Sequence, residues 1–207
     1  DGVMRGAARE KDKSLPSARL VSDCLVRRDG STTSGIRTQL DLARDHIQSR
    51  AKFLGLPDSY TDKAIEQAEK TAQHIVDLCE SPIERLILPW LLVEDYGPLI
   101  HTFPAKGFNH QKDVGAPVGD IVIAPQFAFI RYRADFAILV KANGKSGIFV
   151  LECDGNPYHG AATDNPRDAC FASWGVRVIR ACGSEINSRP RNVSALVSSI
   201  IQEWVSK

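Results

Sequence analysis

The chain has 207 residues, of which 43% are hydrophobic and 25% are charged, as in an ordinary globular domain. Its formal net charge of +1 excludes attraction of nucleic acid by global charge, so any polyanion site must be a local basic patch. No apolar run approaches the ~20 residues of a membrane-spanning helix, and no signal-peptide pattern opens the sequence. The five cysteines are Cys24, Cys79, Cys153, Cys170 and Cys182, and they form no CxxC pair. They predict reduced thiols in a cytoplasmic protein, and no membrane partner is expected.

The first 80 residues predict a polar arm followed by helices. Residues 1–35 are polar and lack periodicity, which is typical of a flexible arm. Apolar residues at helical spacing from Ile36 to Leu54 predict one helix, which Gly55 and Pro57 end. A second helix is expected between Ala64 and Cys79, so that 36–80 form a helical extension.

Residues 81–207 predict an α/β domain. Ser81-Pro82-Ile83-Glu84 is a capping sequence that begins a third helix. β-branched and aromatic residues then predict strands at 120–124, 127–140 and 148–153. A short helix from Pro166, a strand at 176–181 and a helix at 193–204 complete the domain.

One turn fixes how the second and third strands pair. Asn143-Gly144 is the strongest short signal for a two-residue type I′ hairpin. The register that follows places Asp135 directly opposite Glu152, with Cβ atoms ~5 Å apart. Alternation adds Arg133 and Asp154 to the same face. It places six residues on the other face: Tyr132, Ala134, Phe136, Phe149, Leu151 and Cys153. Helices are expected to cover both faces of the hairpin.

Acids brought together at a strand end favour a divalent cation. Neighbouring buried carboxylates repel each other unless a cation joins them. Mg²⁺ or Mn²⁺ takes one or two carboxylates together with water and phosphate, and the carbonyl of Cys153 could add a ligand. An ion in that place could promote attack on a phosphodiester. The alternative is that Arg133 forms a structural ion pair with Asp135, Glu152 or Asp154.

Three further positions have competing interpretations. Glu84 either completes the capping box with Ser81 or serves the metal site, and the two roles conflict. His159 is either a solvated loop residue or a catalytic group that reaches back to the acids. Asp164 and Asn165 are interpreted as helix-start residues before Pro166.

The motifs resemble a known superfamily. RADF around Asp135, LECDGNPYH from Leu151, the stretch Asp164-Asn165-Pro166-Arg167 and GVRVIR from Gly175 are similar to the PD-(D/E)XK nucleases. Within that superfamily they most resemble the very-short-patch-repair-like (Vsr-like) endonucleases and their uncharacterised relatives, over about residues 81–206. The resemblance implies a restriction-endonuclease-like core with a central mixed four-stranded sheet flanked by helices, preceded by the N-terminal helical extension.

The resemblance also implies roles for single residues. Asp135 and Glu152 match the metal-binding acids of the two strands, and Glu84 matches the acid of the preceding helix. His159 matches a general base or metal-water ligand, and Arg167 matches a helix arginine that faces the site. Asp154 stands where the superfamily usually has lysine, and would bind a second metal or orient water while Arg167 or Arg133 replaces the missing cation.

The sequence therefore predicts a Mg²⁺- or Mn²⁺-dependent endonuclease that hydrolyses DNA, with RNA left open as a substrate. The helices of 36–80 would select substrate or a protein partner. The first alternative is a nuclease fold without catalysis that binds nucleic acid or a protein. The second is a plain α/β scaffold whose acids form surface ion pairs.

Overall fold

The computed structural model describes residues 32–129, 131–154 and 166–207, with Asp154 described by its backbone alone. Most of the predicted polar arm lies outside these residues, as do His159, Asp164 and Asn165. The helices are α1 (Thr32–Leu42), α2 (Arg44–Phe53), α3 (Tyr60–Ile75), α4 (Pro82–Leu92), α5 (Pro166–Ser173), α6 (Gly183–Ser188) and α7 (Pro190–Ser206). The strands are β1 (Lys106–Gly107), β2 (Ile121–Phe129), β3 (Tyr132–Ala142), β4 (Lys145–Asp154) and β5 (Arg177–Cys182).

The first predicted helix is two helices. Helix α1 ends at Leu42 and α2 begins at Arg44, with Ala43 between them at φ −86° and ψ 0°. The single-helix prediction was wrong because apolar spacing continues through this residue although the backbone turns there. Helix α3 continues as a 3₁₀ turn at Val76–Leu78, and α4 begins at the predicted capping sequence.

The strands form one mixed sheet in the order β1-β2-β3-β4-β5. Strands β2, β3 and β4 are antiparallel neighbours, whereas β1 pairs parallel to β2 and β5 pairs parallel to β4. Where the sequence predicts four strands, the described residues form five. The predicted strand 127–140 was wrong, because β2 continues to Phe129 and β3 begins at Tyr132. The additional strand, β1, has only two residues, too few for a hydrophobic pattern to mark.

The two faces of the sheet are covered unequally. The main hydrophobic cluster joins one face to α1–α4, α6 and α7, and it includes Ile36, Ile65, Phe136 and Val197. The predicted helical extension therefore shares a core with the sheet. On the other face, a smaller cluster lies beneath α5 and consists of Ala134, Val150, Phe171 and Val176. Within the part of the chain that is described, no helix has both the length and the apolar character needed to cross a bilayer.

Candidate functional site

The predicted hairpin register is confirmed from the turn as far as the pair Phe136–Leu151. Asn143 and Gly144 both have positive φ, 52° and 73°, as a type I′ turn requires. The pairing runs from Ala142 opposite Lys145 back to Phe136 opposite Leu151 in an unbroken series. The next residues in this register are Asp135 and Glu152, which lie within β3 and β4.

The predicted alternation of side chains is wrong on one side of Asp135. Phe136 belongs to the main cluster, but Ala134 and Tyr132 belong to the smaller cluster on the opposite face. The neighbouring strand β2 changes face in the same place, since Ile123 lies in the main cluster whereas Phe129 packs against the smaller one. Both strands therefore rotate between these positions without losing register.

A left-handed residue in β2 explains this rotation. Gln126 has φ 53°, a conformation that costs free energy for any residue with a side chain. The β2–β3 register places it opposite Asp135, between the pairs Pro125–Phe136 and Phe127–Ala134. Asp135 thus lies at the rotation, and its Oδ2 accepts a hydrogen bond of 2.7 Å from the backbone N–H of Cys153.

Glu152 is buried against an arginine from α5. Glu152 is only 3% exposed, and Nη2 of Arg167 lies 2.6 Å from each of its carboxylate oxygens. The same Nη2 donates to the backbone carbonyl of Arg133 at 2.6 Å. The Arg167 guanidinium also lies over the ring of Phe171, which anchors α5 in the smaller cluster. These contacts fix Arg167 beside the acids, where the resemblance implies an arginine facing the site.

Glu84 does complete a capping box. Its Oε1 accepts from the N–H of Ser81, while its own N–H donates to the Ser81 hydroxyl. Its Oε2 accepts from the N–H of Glu80 at 3.0 Å and from Nε2 of Gln126 at 2.8 Å. The capping interpretation is therefore confirmed, and a role at a metal stays a prediction. Through Gln126, Glu84 is linked to the place where β2 and β3 rotate.

Three carboxylates influence the pKa of the Cys153 thiol. Burial raises the pKa of its thiol well above the usual value, and Asp135, Glu84 and Glu152 raise it further. Burial also raises the pKa of Cys79, again with contributions from Glu84 and Asp135. These carboxylates thus lie near the two thiols, and Arg167 pairs with one of them, Glu152.

Arg133 has a different partner from those expected. Its Nη2 lies 2.6 Å from Oε1 of Glu80, at the start of α4. Both side chains are more than half exposed, so the pair contributes little stability. The rotation at Asp135 explains the difference, because it turns Arg133 away from the face that holds Glu152 and Arg167.

The pair of strand-end acids suits a hydrated divalent ion better than a full protein cage. Among the described side chains, which exclude Asp154 and His159, no three His, Cys, Asp or Glu residues are grouped to hold a metal. Mg²⁺, however, commonly binds through one or two carboxylates and keeps several waters. The hard oxygen donors of Asp135 and Glu152 fit that chemistry. An ion on Glu152 would have to share this carboxylate with Arg167 or replace the arginine.

Gln126 is the site residue that sequence reasoning missed. It is 6% exposed, contacts Glu84 and lies opposite Asp135. The available signal was Pro125-Gln126 in the middle of the apolar stretch IVIAPQFAF, where a proline and an amide interrupt a strand.

Comparisons with protein-family models, with curated proteins and with solved structures found no match to this chain. Its chemistry is therefore inferred from the residues and their geometry.

Proposed function

We propose that this protein is a divalent-metal-dependent endonuclease that hydrolyses DNA phosphodiester bonds on a restriction-endonuclease-like core. The observation that carries the proposal is the hairpin register, which pairs Phe136 with Leu151 and so makes Asp135 and Glu152 the next residues of adjacent strands. A third carboxylate, Glu84, is linked to this place through Gln126, whose Nε2 donates to Glu84 Oε2 at 2.8 Å. Arg167 and backbone N–H groups offset part of this charge, and a bound divalent ion would offset more of it.

Asp135 and Glu152 are the residues that would hold Mg²⁺ or Mn²⁺. Glu84 would contribute through a water while its oxygens keep the capping box, and the carbonyl of Cys153 is a further candidate ligand. A bound ion would supply Lewis-acid stabilisation of the charge that develops on the attacked phosphate. Asp154 and His159 stay candidates for orienting or deprotonating the water that attacks.

Arg167 takes the place of the lysine that the superfamily usually has. Its side chain is 28% exposed while the Glu152 side chain is 4% exposed, so the arginine is the more accessible partner of the pair. An arginine can bind a phosphate with two parallel hydrogen bonds. Arg167 would therefore balance the acids before substrate binds and contact the phosphate afterwards.

Plasmid nicking in Mg²⁺ or in EDTA tests the proposal. Asp135→Asn and Glu152→Gln keep the side-chain size and remove the charge. Because loss of residues around a metal commonly costs 10–100-fold, loss of a direct ligand should slow nicking by about 100-fold or more. Glu203→Gln is the matched control, since Glu203 pairs with Lys207 on the exposed surface of α7. If Asp135→Asn nicks plasmid as fast as the parent, the proposal is wrong.

A second candidate is a nuclease fold without catalysis that binds nucleic acid or a protein partner. It is favoured by the hydrogen bonds that Asp135, Glu152 and Glu84 already accept from protein N–H groups. Asp154 in the lysine position also favours it. Tight DNA binding that ignores divalent ions, together with no cleavage, would select this candidate.

A further inference from the structure

Two adjoining cavities lie at the far end of the hairpin from the acids. The first, of about 520 Å³, is formed between α3 and the segment 101–106. The second, of about 420 Å³, surrounds the Asn143-Gly144 turn. His101 and Asp120 line both cavities, so the two form one continuous surface.

This surface is basic. Lys63 and Lys106 line the first cavity, Lys141 and Lys145 line the second, and Asp120 is the carboxylate among the lining residues of both. Within residues 32–129, 131–154 and 166–207, these four lysines form no ion pair. The surface is thus the kind of local basic patch that a chain of net charge +1 needs in order to bind a polyanion.

The segments that carry the lysines are tied to one another. The backbone N–H of Asp120 donates to the Thr102 hydroxyl, and the carbonyl of Asp120 accepts from the N–H of Lys141, both at 2.8 Å. The stem of Lys106 packs over Gly119, where a Cβ would lie 3.1 Å from the lysine Cδ. The positive charges are therefore mounted on α3, β1, β3 and β4 instead of on a single loose segment.

We propose that these four lysines bind the phosphates of nucleic acid at a distance from the candidate acids. Lys141 lies six positions after Asp135 in β3, which corresponds to ~20 Å of extended strand. That length equals roughly 6 base pairs of duplex at 3.4 Å each. Two neighbouring cavities with two lysines each favour a chain of phosphates over a single small anion. The assignment of nucleic acid as the ligand rests on the proposed function, whereas the surface itself does not depend on catalysis.

The salt dependence of DNA binding tests this surface. A fluorescent duplex of about 24 base pairs is titrated in EDTA between about 50 and 200 mM salt, with binding followed by anisotropy. Each lost phosphate contact should make the slope of log K against log salt shallower by ~0.9. We expect Lys63→Gln/Lys106→Gln and Lys141→Gln/Lys145→Gln each to reduce the slope by up to ~1.8.

The control is Lys52→Gln/Lys112→Gln, which neutralises two exposed lysines that line neither cavity. It should leave the slope unchanged. Slopes equal to the parent's in both cavity variants, or no DNA binding by the parent, would overturn the proposal. The proposal would also be overturned if Lys63→Gln/Lys106→Gln lost binding of pyrophosphate but kept the parent's slope for DNA. DNA binding is measured in EDTA, and it is repeated with Asp135→Asn, so it does not depend on cleavage. Failure of the parent to cleave DNA would therefore refute the proposed function without refuting DNA binding by the four lysines.

Discussion

Arg167→Met is the substitution that most sharply tests the arrangement of charges at the site. It removes the arginine from Glu152, whose side chain is 4% exposed, and leaves the stem of the side chain against Phe171. Breaking a buried ion pair by removing one partner costs ~3–5 kcal/mol. Since Arg167 is itself 28% exposed and water can enter, we expect the lower end, a loss of ~3 kcal/mol. For a chain of this length that loss lowers the melting temperature by roughly 6–12 °C.

Urea unfolding followed by circular dichroism measures the loss, and a second variant isolates its cause. Arg167→Met/Glu152→Gln also removes the buried charge, so it should recover at least half of the lost stability. Arg180→Met is the matched control, because its partner Asp168 also lies on α5 but both side chains are about 40% exposed. It should cost less than ~1 kcal/mol. A loss below ~1 kcal/mol for Arg167→Met, or a double variant no more stable than the single one, would refute this account of Glu152.

Two further predictions concern the groups around Cys153. Glu84→Gln keeps an acceptor for the capping box, whereas Glu84→Ala removes it and also leaves the Gln126 amide without this acceptor. Urea unfolding should therefore show Glu84→Gln to be at least ~1 kcal/mol more stable than Glu84→Ala. Equal stability of the two variants would contradict the capping role. Burial raises the folded-state pKa of Cys79 and Cys153, so the stability these thiols contribute is present below their unfolded pKa of ~8.5 and is lost as the pH rises above it. Cys79→Ala/Cys153→Ala should therefore flatten the fall in melting temperature between pH ~7 and ~9.5, and parallel curves for parent and variant would contradict the charge environment described for Cys153.

The features that the sequence predicts correctly depend on local conformation. Asn143 and Gly144 adopt the left-handed conformation with little strain, so the turn and the register that follows from it are encoded in two residues. The capping box of Ser81 and Glu84 is equally local. Each of these signals connects residues at most a few positions apart, and each is confirmed.

The features that the sequence does not predict depend on distant contacts. Gln126 adopts a left-handed conformation that its own preference disfavours, and its contact with Glu84 lies 42 positions away in the chain. The resemblance implies that Arg167 faces the site, but its contact with Glu152 requires α5 to dock through Phe171. Helix α6, with six residues, is too short for periodicity to reveal.

Asp135 of β3 and Glu152 of β4 are proposed to bind a divalent ion. Calorimetric titration of the parent, Asp135→Asn, Glu152→Gln and the control Glu203→Gln with Mn²⁺ measures this directly. A metal site at these acids requires binding by the parent and the control, with an affinity at least ~10-fold weaker when either acid is neutralised. Failure of the parent to bind Mn²⁺, or equal affinity in Asp135→Asn, would contradict it.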